Sequence, residues 1–381
     1  MATGFVFHER YLWHNTGRGA GSFIADAAGW FEPDLRASEN SEGKRRIRNL
    51  LDVTGLLDQL VRLDPRPATV EQVCRFHERG YVERIRDASA NLGGEAGDGW
   101  TPFGKGSYEV ALLAAGGVIT AIDAVLDGTV RNAFALVRPP GHHAMPDSGQ
   151  GFCIFGNAAI AAHHALAERG IRRIAIVDWD VHHGNGTEAA FYEDPRVLTI
   201  SLHQDFVPDS GRGTIDQCGR GAGLGYNMNI PLPPGCGNGA YEYAFRTAVL
   251  PALEAFGPEL IIIASGLDAS VSDPLGRMML TPKGYGELTA MTLDSADRLC
   301  GGRLVVEHEG GYSESVAPFC ALAIVEQLTG IQTECRDTRL HRYLDTLGYQ
   351  DLQAHQKEAI DRVIPLVRRL VSTAQMPSSG V

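Results

Sequence analysis

The sequence contains no Cys-x-x-Cys pair. Its seven cysteines, Cys74, Cys153, Cys218, Cys236, Cys300, Cys320 and Cys335, are odd in number and scattered. That pattern argues against a disulfide framework and a cysteine-ligated zinc, and fits reduced thiols in a cytoplasm. Positive charge is also short: 34 Lys and Arg stand against 46 Asp and Glu, a net charge of -12. A general phosphate-binding surface, and with it a nucleic-acid partner, is not expected. Residues Met1 to His8 show no basic region leading into an apolar core, so no signal peptide is expected. No apolar run reads as long enough to span a bilayer, so no membrane partner is expected either. Repeats, low-complexity tracts and linkers are missing, which makes one domain over 1–381 the simplest organisation.

Short apolar, β-branched runs alternate with helical patterns. Strands are expected at 4–8, 133–137, 174–177, 197–202, 260–264 and 304–306. Helices are expected at 44–63, from Thr69, at 81–90, 107–126, 157–169, 186–192, 240–256 with a kink at Pro251, 282–299 and 316–328. Strands apolar on both faces and separated by helices predict an α/β fold: one parallel β-sheet with helices on both faces. The core is placed at about 1–330. A helical extension at 340–373, with one helix from Gln350 to Thr373, packs outside it, and 376–381 is read as a frayed tail. The stretch Tyr11 to Gly43, rich in Gly, Ala, Asn and aromatics, reads as a long surface loop near an opening.

One segment carries unusual chemistry: Ile174-Ala-Ile-Val-Asp178-Trp-Asp180-Val-His182-His-Gly-Asn185-Gly-Thr. Two carboxylates and two imidazoles follow a buried strand. If the chain stays extended through His182, Asp178, Asp180 and His182 share a face. A divalent cation would neutralise such charges. Similar residues follow other strands: Arg138-Pro-Pro-Gly-His142-His143, Ser201-Leu202-His203, Ser265-Gly-Leu-Asp268 and Glu309-Gly-Gly-Tyr312. In an open parallel sheet these strand ends converge on one edge, where ligands bind. Asp180, His182 and Asp268 form a set that zinc accepts while keeping an open position. His142 and His143 are then free as base and acid, and Tyr312 as a donor to a carbonyl oxygen. This is equipment for hydrolysing an unactivated amide.

These five ordered motifs, between about Asp98 and Leu328, resemble the zinc-dependent histone deacetylase superfamily. Among its branches they are most similar to bacterial histone-deacetylase-like amidohydrolases of the class II type, relatives of the acetylpolyamine amidohydrolases. The resemblance implies an arginase/deacetylase-like fold and zinc on Asp180, His182 and Asp268. It implies His143 as general base and acid with Asn185 behind it, His142 held by Asp178, and Tyr312 stabilising the oxyanion. Many relatives carry Asp in place of Asn185, and a neutral partner leaves the His143 pKa lower. The resemblance also implies potassium, held by the Asp178 and Ser201 side chains and by carbonyls of Asp178, Asp180, His182 and Leu202. A second such site would use carbonyls of Phe191, Asp194, Val197 and Tyr226.

For the substrate, an acetylated lysine peptide or acetylated amine, the resemblance implies a tunnel with the Gly151 carbonyl and Phe152 on one wall. Phe206, in a shortened loop, is the candidate for the opposite wall. Asp98 is either a rim acid that takes a peptide backbone or polyamine cation, or a turn former beside Gly97 and Gly99. Gly219-Arg-Gly-Ala-Gly-Leu-Gly225 does not fit a dinucleotide loop and reads as irregular loop near the mouth. The cysteines and the pair His163-His164 read as packing or surface. A binuclear arginase-like hydrolase would need a further Asp where Ser270 stands. A silent acyl-group binder would not need the full residue set. An acetylpolyamine or small-amide hydrolase is the alternative within the same chemistry, and the 11–43 loop would serve a homo-oligomer.

Overall fold

The computed structural model describes residues 2–16, 39–205, 212–337, 339–347 and 350–374. Among the described residues there are ten strands: β1 (Thr3–Val6), β2 (Val61–Leu63), β3 (Gly94–Glu95), β4 (Pro102–Phe103), β5 (Asn132–Ala135), β6 (Ile174–Asp178), β7 (Val197–Gln204), β8 (Asn227–Leu232), β9 (Leu260–Ser265) and β10 (Leu304–His308). The helices are α1 (Glu42–Val53), α2 (Val70–Val73), α3 (Arg79–Ala90), α4 (Ser107–Leu126), α5 (Asn157–Glu168), α6 (Asn185–Phe191), α7 (Asn238–Ala244), α8 (Leu250–Phe256), α9 (Pro282–Cys300), α10 (Ala317–Thr329), α11 (Arg339–Leu344), α12 (Ala354–Asp361) and α13 (Ile364–Ala374).

Eight strands form one sheet in the order β2-β1-β5-β10-β9-β6-β7-β8, and every pairing in it is parallel. The central strands β6 and β9 are buried along their whole length, as their unbroken apolar runs require. Helices α4 and α5 pack together in one layer and α1, α9 and α10 in another, flanking the sheet. This is the α/β arrangement expected. The five strand ends bearing the polar motifs belong to β5, β10, β9, β6 and β7, which are consecutive in the sheet. Parallel pairing therefore delivers all five motifs to one carboxyl edge.

Several expectations change. The 44–63 helix ends at Val53, and Val61–Leu63 instead forms edge strand β2. The C-terminal helix is two, α12 and α13, and α12 covers the β8 edge while α13 packs on α8. The 240–256 helix contains a π-helical turn at Phe245–Val249, just before Pro251. Strand β8 has no counterpart in the sequence reading. Its Asn-Met-Asn-Ile-Pro-Leu run is broken by Pro231, tolerated because β8 is an edge strand. The Gly219–Gly225 segment lies before β8, against Tyr192 and Glu193, at the amino edge of the sheet. It is thus away from the mouth, contrary to expectation.

The 11–43 stretch is not simply a surface loop. At its described ends Tyr11, His14, Asn15, Thr16, Glu39 and Ser41 are buried. Helix α4 also corrects the reading of apolar runs. Its 20 residues are long and apolar enough to cross a membrane by length and composition, and 67% of that window is buried inside the fold. The tail 376–381 lies outside the described residues.

Candidate metal centre and active site

Asp178 closes β6, and the chain bends immediately after it. The spacing argument for an extended segment through His182 therefore fails, yet the three side chains still meet. Short side-chain-to-backbone bonds shape the bend: the Asp180 amide donates to Asp178 Oδ1 (3.0 Å) and the His182 amide to Asp180 Oδ1 (2.8 Å). Such Asx turns are a common use of aspartate. They leave Asp180 aimed inward. Asp268 arrives from the loop after β9 and is pinned by the Val181 amide on Oδ1 (2.9 Å).

Asp180, His182 and Asp268 each offer one ligand atom, all within 4.8 Å of one another. His182 Nδ1 lies 3.0 Å from Asp180 Oδ1 and 3.3 Å from Asp268 Oδ2. Both aspartates are fully buried, and Asp268 Oδ2 has no hydrogen-bond partner among the described residues. Burial and the Asp180 charge push the Asp268 carboxyl up to about 7. Burial works against a charged His182, but Asp180 and Asp268 outweigh it and raise its pKa to about 10. Two buried acids and an imidazole this crowded need a shared positive charge, supplied by protons or by a metal ion. The backbone leaves room for one. A Cβ on Gly310 would come 2.2 Å from Asp268 Oδ2 and 2.7 Å from Asp180 Oδ2, and one on Gly266 would come 2.1 Å from Asp180 Oδ2. The donor set and this cradle fit a divalent cation with an open side at His182, whose side chain is 27% exposed.

The histidine pair stands beside this cluster, with rings 4.0 Å apart. Its loop is fixed from below: Glu309 Oε2 accepts the amides of Gly141 (2.6 Å) and His142 (3.2 Å). His142 Nδ1 bonds Asp178 Oδ2 at 2.9 Å, and its Nε2 is 3.6 Å from Asp180 Oδ2. Burial disfavours its charge, but Asp180 and Asp178 prevail and hold its pKa well above the usual value. His143 behaves oppositely. Burial, then the neighbouring His142 and His182, hold it well below the usual value. Its Nδ1 meets Asn185 Oδ1 at 2.6 Å. The Asn185 amide nitrogen faces Gln150 Oε1 (3.2 Å), which leaves its oxygen to accept from His143. Neutral His143 therefore carries its proton on Nδ1 and has a free lone pair on Nε2.

Gly151 has φ of 53°, and a Cβ there would come 2.2 Å from the His143 ring. Phe152 follows with φ of 70°, rare for a bulky residue and a sign of functional placement. Its ring lies 5.9 Å from that of Tyr312. Burial, with Asp268 and Asp180 nearby, holds the Tyr312 phenol well above its usual pKa, so it keeps its proton. Asp98 acts in the turn, where Oδ1 accepts from Trp100 (2.9 Å), and its Oδ2 accepts from the chain's own Gly151 amide (2.8 Å). Asp178 and Ser201 stand opposite one another across the β6–β7 ladder, next to Leu202. The carbonyls of Phe191, Asp194 and Tyr226 already accept backbone bonds near the start of β7. Phe206 lies outside the described residues. His203 bonds Ser201 Oγ and the Gly213 carbonyl instead of joining the centre.

Some participants were missed in the sequence. Cys153, read as packing, sits with its Sγ 3.4 Å from the His143 amide. Thr101 Oγ1 accepts the Phe152 amide, and Gln150 supports Asn185. Only their nearness to the Gly-rich loop and the Gly-Phe pair signals them. His164 is a packing residue, bonded to Asp123 and Gln72. A groove of about 420 Å³ between α9, α10 and α11 contains none of these residues.

Known proteins resemble this chain over most of its length. Residues 37–328 match the histone deacetylase domain family. A histone deacetylase-like amidohydrolase of Pseudomonas aeruginosa is 48% identical over 337 residues, 88% of each chain. A probable deacetylase of Archaeoglobus fulgidus is 39% identical over 337 residues, 87% of each. The crystal structure of the HDA15 HD domain superposes with a TM-score of 0.83 at 32% identity, covering 98% of this chain and 96% of that one. An eight-stranded parallel sheet, a buried Asp-His-Asp cluster beside a histidine pair, and these alignments over most of the chain lead to one conclusion: the chain belongs to the histone deacetylase domain family.

Proposed function

We propose that the chain is a zinc-dependent deacetylase that hydrolyses the acetyl amide of a lysine side chain or a related acetylated amine. The observation that carries this is the buried Asp180–His182–Asp268 cluster, its three ligand atoms within 4.8 Å of one another, lying beside His142 and His143. Those three residues would hold zinc. Bound there, zinc supplies Lewis-acid polarisation of the amide carbonyl and lowers the pKa of a water molecule.

The chain's own groups do the rest. His143 Nε2 takes the proton as the water oxygen attacks the acetyl carbon, and later returns it to the leaving nitrogen as the C–N bond breaks. The products are acetate and the free amine. Asn185 holds the His143 tautomer that makes Nε2 the base. His142, kept cationic by Asp178 and Asp180, places fixed positive charge next to the reacting oxygen atoms. Tyr312 donates its hydroxyl hydrogen to the developing oxyanion. Phe152, with the Gly151 carbonyl, forms one wall for an apolar alkyl stem. Phe206 is assigned to the other, and Asp98 to the rim. Potassium would be held by Asp178 and Ser201 with carbonyls of Asp178, Asp180, His182 and Leu202, and a second ion by carbonyls of Phe191, Asp194, Val197 and Tyr226. The whole chain is read as one catalytic domain. Its seven unpaired thiols fit a cytoplasmic setting.

The test is turnover of acetyl-lysine peptides, acetylputrescine and acetylspermidine, with metal analysis. One zinc per chain, loss of turnover on chelation, and variants Tyr312→Phe and His143→Ala that keep zinc but lose about a hundredfold or more in kcat are expected. Normal deacetylation by either variant overturns the roles.

A further inference from the structure

Tyr312 sits on a four-residue loop, Glu309 to Tyr312, and its phenol can reach the reacting carbonyl only if that loop is held still. One end is fixed at the metal cluster: the Gly310 amide donates to Asp180 Oδ2 (3.0 Å), and the Gly310 carbonyl accepts from Leu267 (2.9 Å). The other end is held by a carboxylate that the reaction does not use. Asp273 Oδ2 accepts both the Tyr312 amide (2.7 Å) and the Ser313 amide (3.0 Å), while Oδ1 accepts the Leu275 amide (2.9 Å). Asp273 is 7% exposed. The residue before it, Ser272, adopts φ of 73°, a left-handed conformation that serine seldom takes. Strain of that kind persists where the surroundings enforce it, typically near functional sites. The next residue, Asp273, faces the tyrosine loop.

We propose that Asp273 is a positioning residue for the proposed deacetylation: by clamping the Tyr312 and Ser313 amides it sets the phenol where the oxyanion forms. This rests on the reading of Tyr312 as oxyanion donor. A carboxylate is needed because all three donors are N–H groups on its two oxygens. An asparagine in the same place must turn its NH₂ toward one set of amides or the other. Asp273 lies on the same loop as Asp268, so its bonds to the Tyr312 and Ser313 amides join the tyrosine loop to the loop of the metal cluster.

The test is a double-mutant cycle in the zinc-loaded enzyme on an acetyl-lysine substrate. Asp273→Asn in the parent is expected to lower kcat about tenfold or more, with KM changed less than about twofold and zinc still at one per chain. In the Tyr312→Phe background the same change is expected to cost less than about twofold, because the hydroxyl it positions is gone. Asp273→Ala, run through the same cycle, covers the case in which asparagine turns its oxygen toward the tyrosine loop. An equal loss in both backgrounds for both variants overturns the assignment, as does a loss confined to KM or to zinc content. No turnover of any acetylated amine by the loaded parent overturns the functional reading and the assignment with it. An active parent with an additive cycle overturns the assignment alone.

Discussion

At the residue scale, two adjacent histidines have been given opposite protonation behaviour by their partners. His142 faces two carboxylates and stays charged, whereas His143 faces a neutral amide and stays a base. Burial and the neighbouring His142 and His182 hold His143 neutral, and Asn185 brings no negative charge to oppose them. Asn185→Asp would place an anion on His143 Nδ1, stabilise the imidazolium and raise its pKa. The acidic limb of kcat/KM against pH is therefore expected to move to higher pH, read from a full pH–rate profile alongside the parent. A limb that stays put or moves to lower pH removes His143 as the base. These residues were legible in the sequence because each motif places chemistry directly after an apolar run. Asp273 and Cys153 were not, because nothing local distinguishes an acid in a Ser-Asp-Pro turn, or one thiol among seven. Their importance comes from which backbone amides the fold brings to them.

At the element scale, the sheet was readable wherever a strand was a short apolar run, and its edges were not. Strand β2 was absorbed into a helix because Leu56, Leu57 and Leu60 continue the helical spacing of α1. Strand β8 was lost behind glycines, asparagines and a proline. The larger miss is the N-terminal stretch, whose polar and aromatic residues looked solvated. Arg138, at the end of β5, buries its guanidinium there. It bonds Glu39 Oε1 (2.7 Å) and the carbonyls of Tyr11 (3.1 Å) and His14 (2.7 Å). Lys44 adds a second cation 3.3 Å from Glu39. Removing one partner of a buried pair leaves an uncompensated charge, at a cost of about 3–5 kcal/mol. Arg138→Ala is expected to lower the urea midpoint by that measure and to loosen the N-terminal segment in hydrogen exchange. A shift worth less than about 1 kcal/mol contradicts this account of the contact.

At the scale of the whole molecule, buried neutral histidines lower stability in acid, and buried acids such as Asp268 oppose them. Burial lowers His14 and His203 to about 3, and His77 and His163 to about 4. Below pH 6.5 the unfolded chain binds protons at these four sites and the folded chain does not, so stability falls as pH falls. Each contributes at most about 1.4 kcal/mol per pH unit down to its folded value. His142 and His182 shift the other way, and their contribution changes only as pH rises above 6.5. Glu39 loses its contribution at lower pH, between 4.5 and about 2. Urea midpoints measured between pH 7.5 and 4 are expected to drop steadily from near 6.5. A flat profile over that range contradicts an excess of buried neutral histidines over acids such as Asp268, which burial and Asp180 raise to about 7 and which act in the opposite sense as pH falls.

Helix α4 raises a different matter, that of biogenesis. It is followed by β5 and α5 in the chain, and β10 comes far later, so much of what finally covers it has not yet been synthesised when it leaves the ribosome. For that interval its twenty residues present themselves to targeting factors much as a bilayer segment does. Docking of α4 onto β1 and α3, already made, and then onto β5 and α5 takes its apolar surface out of water.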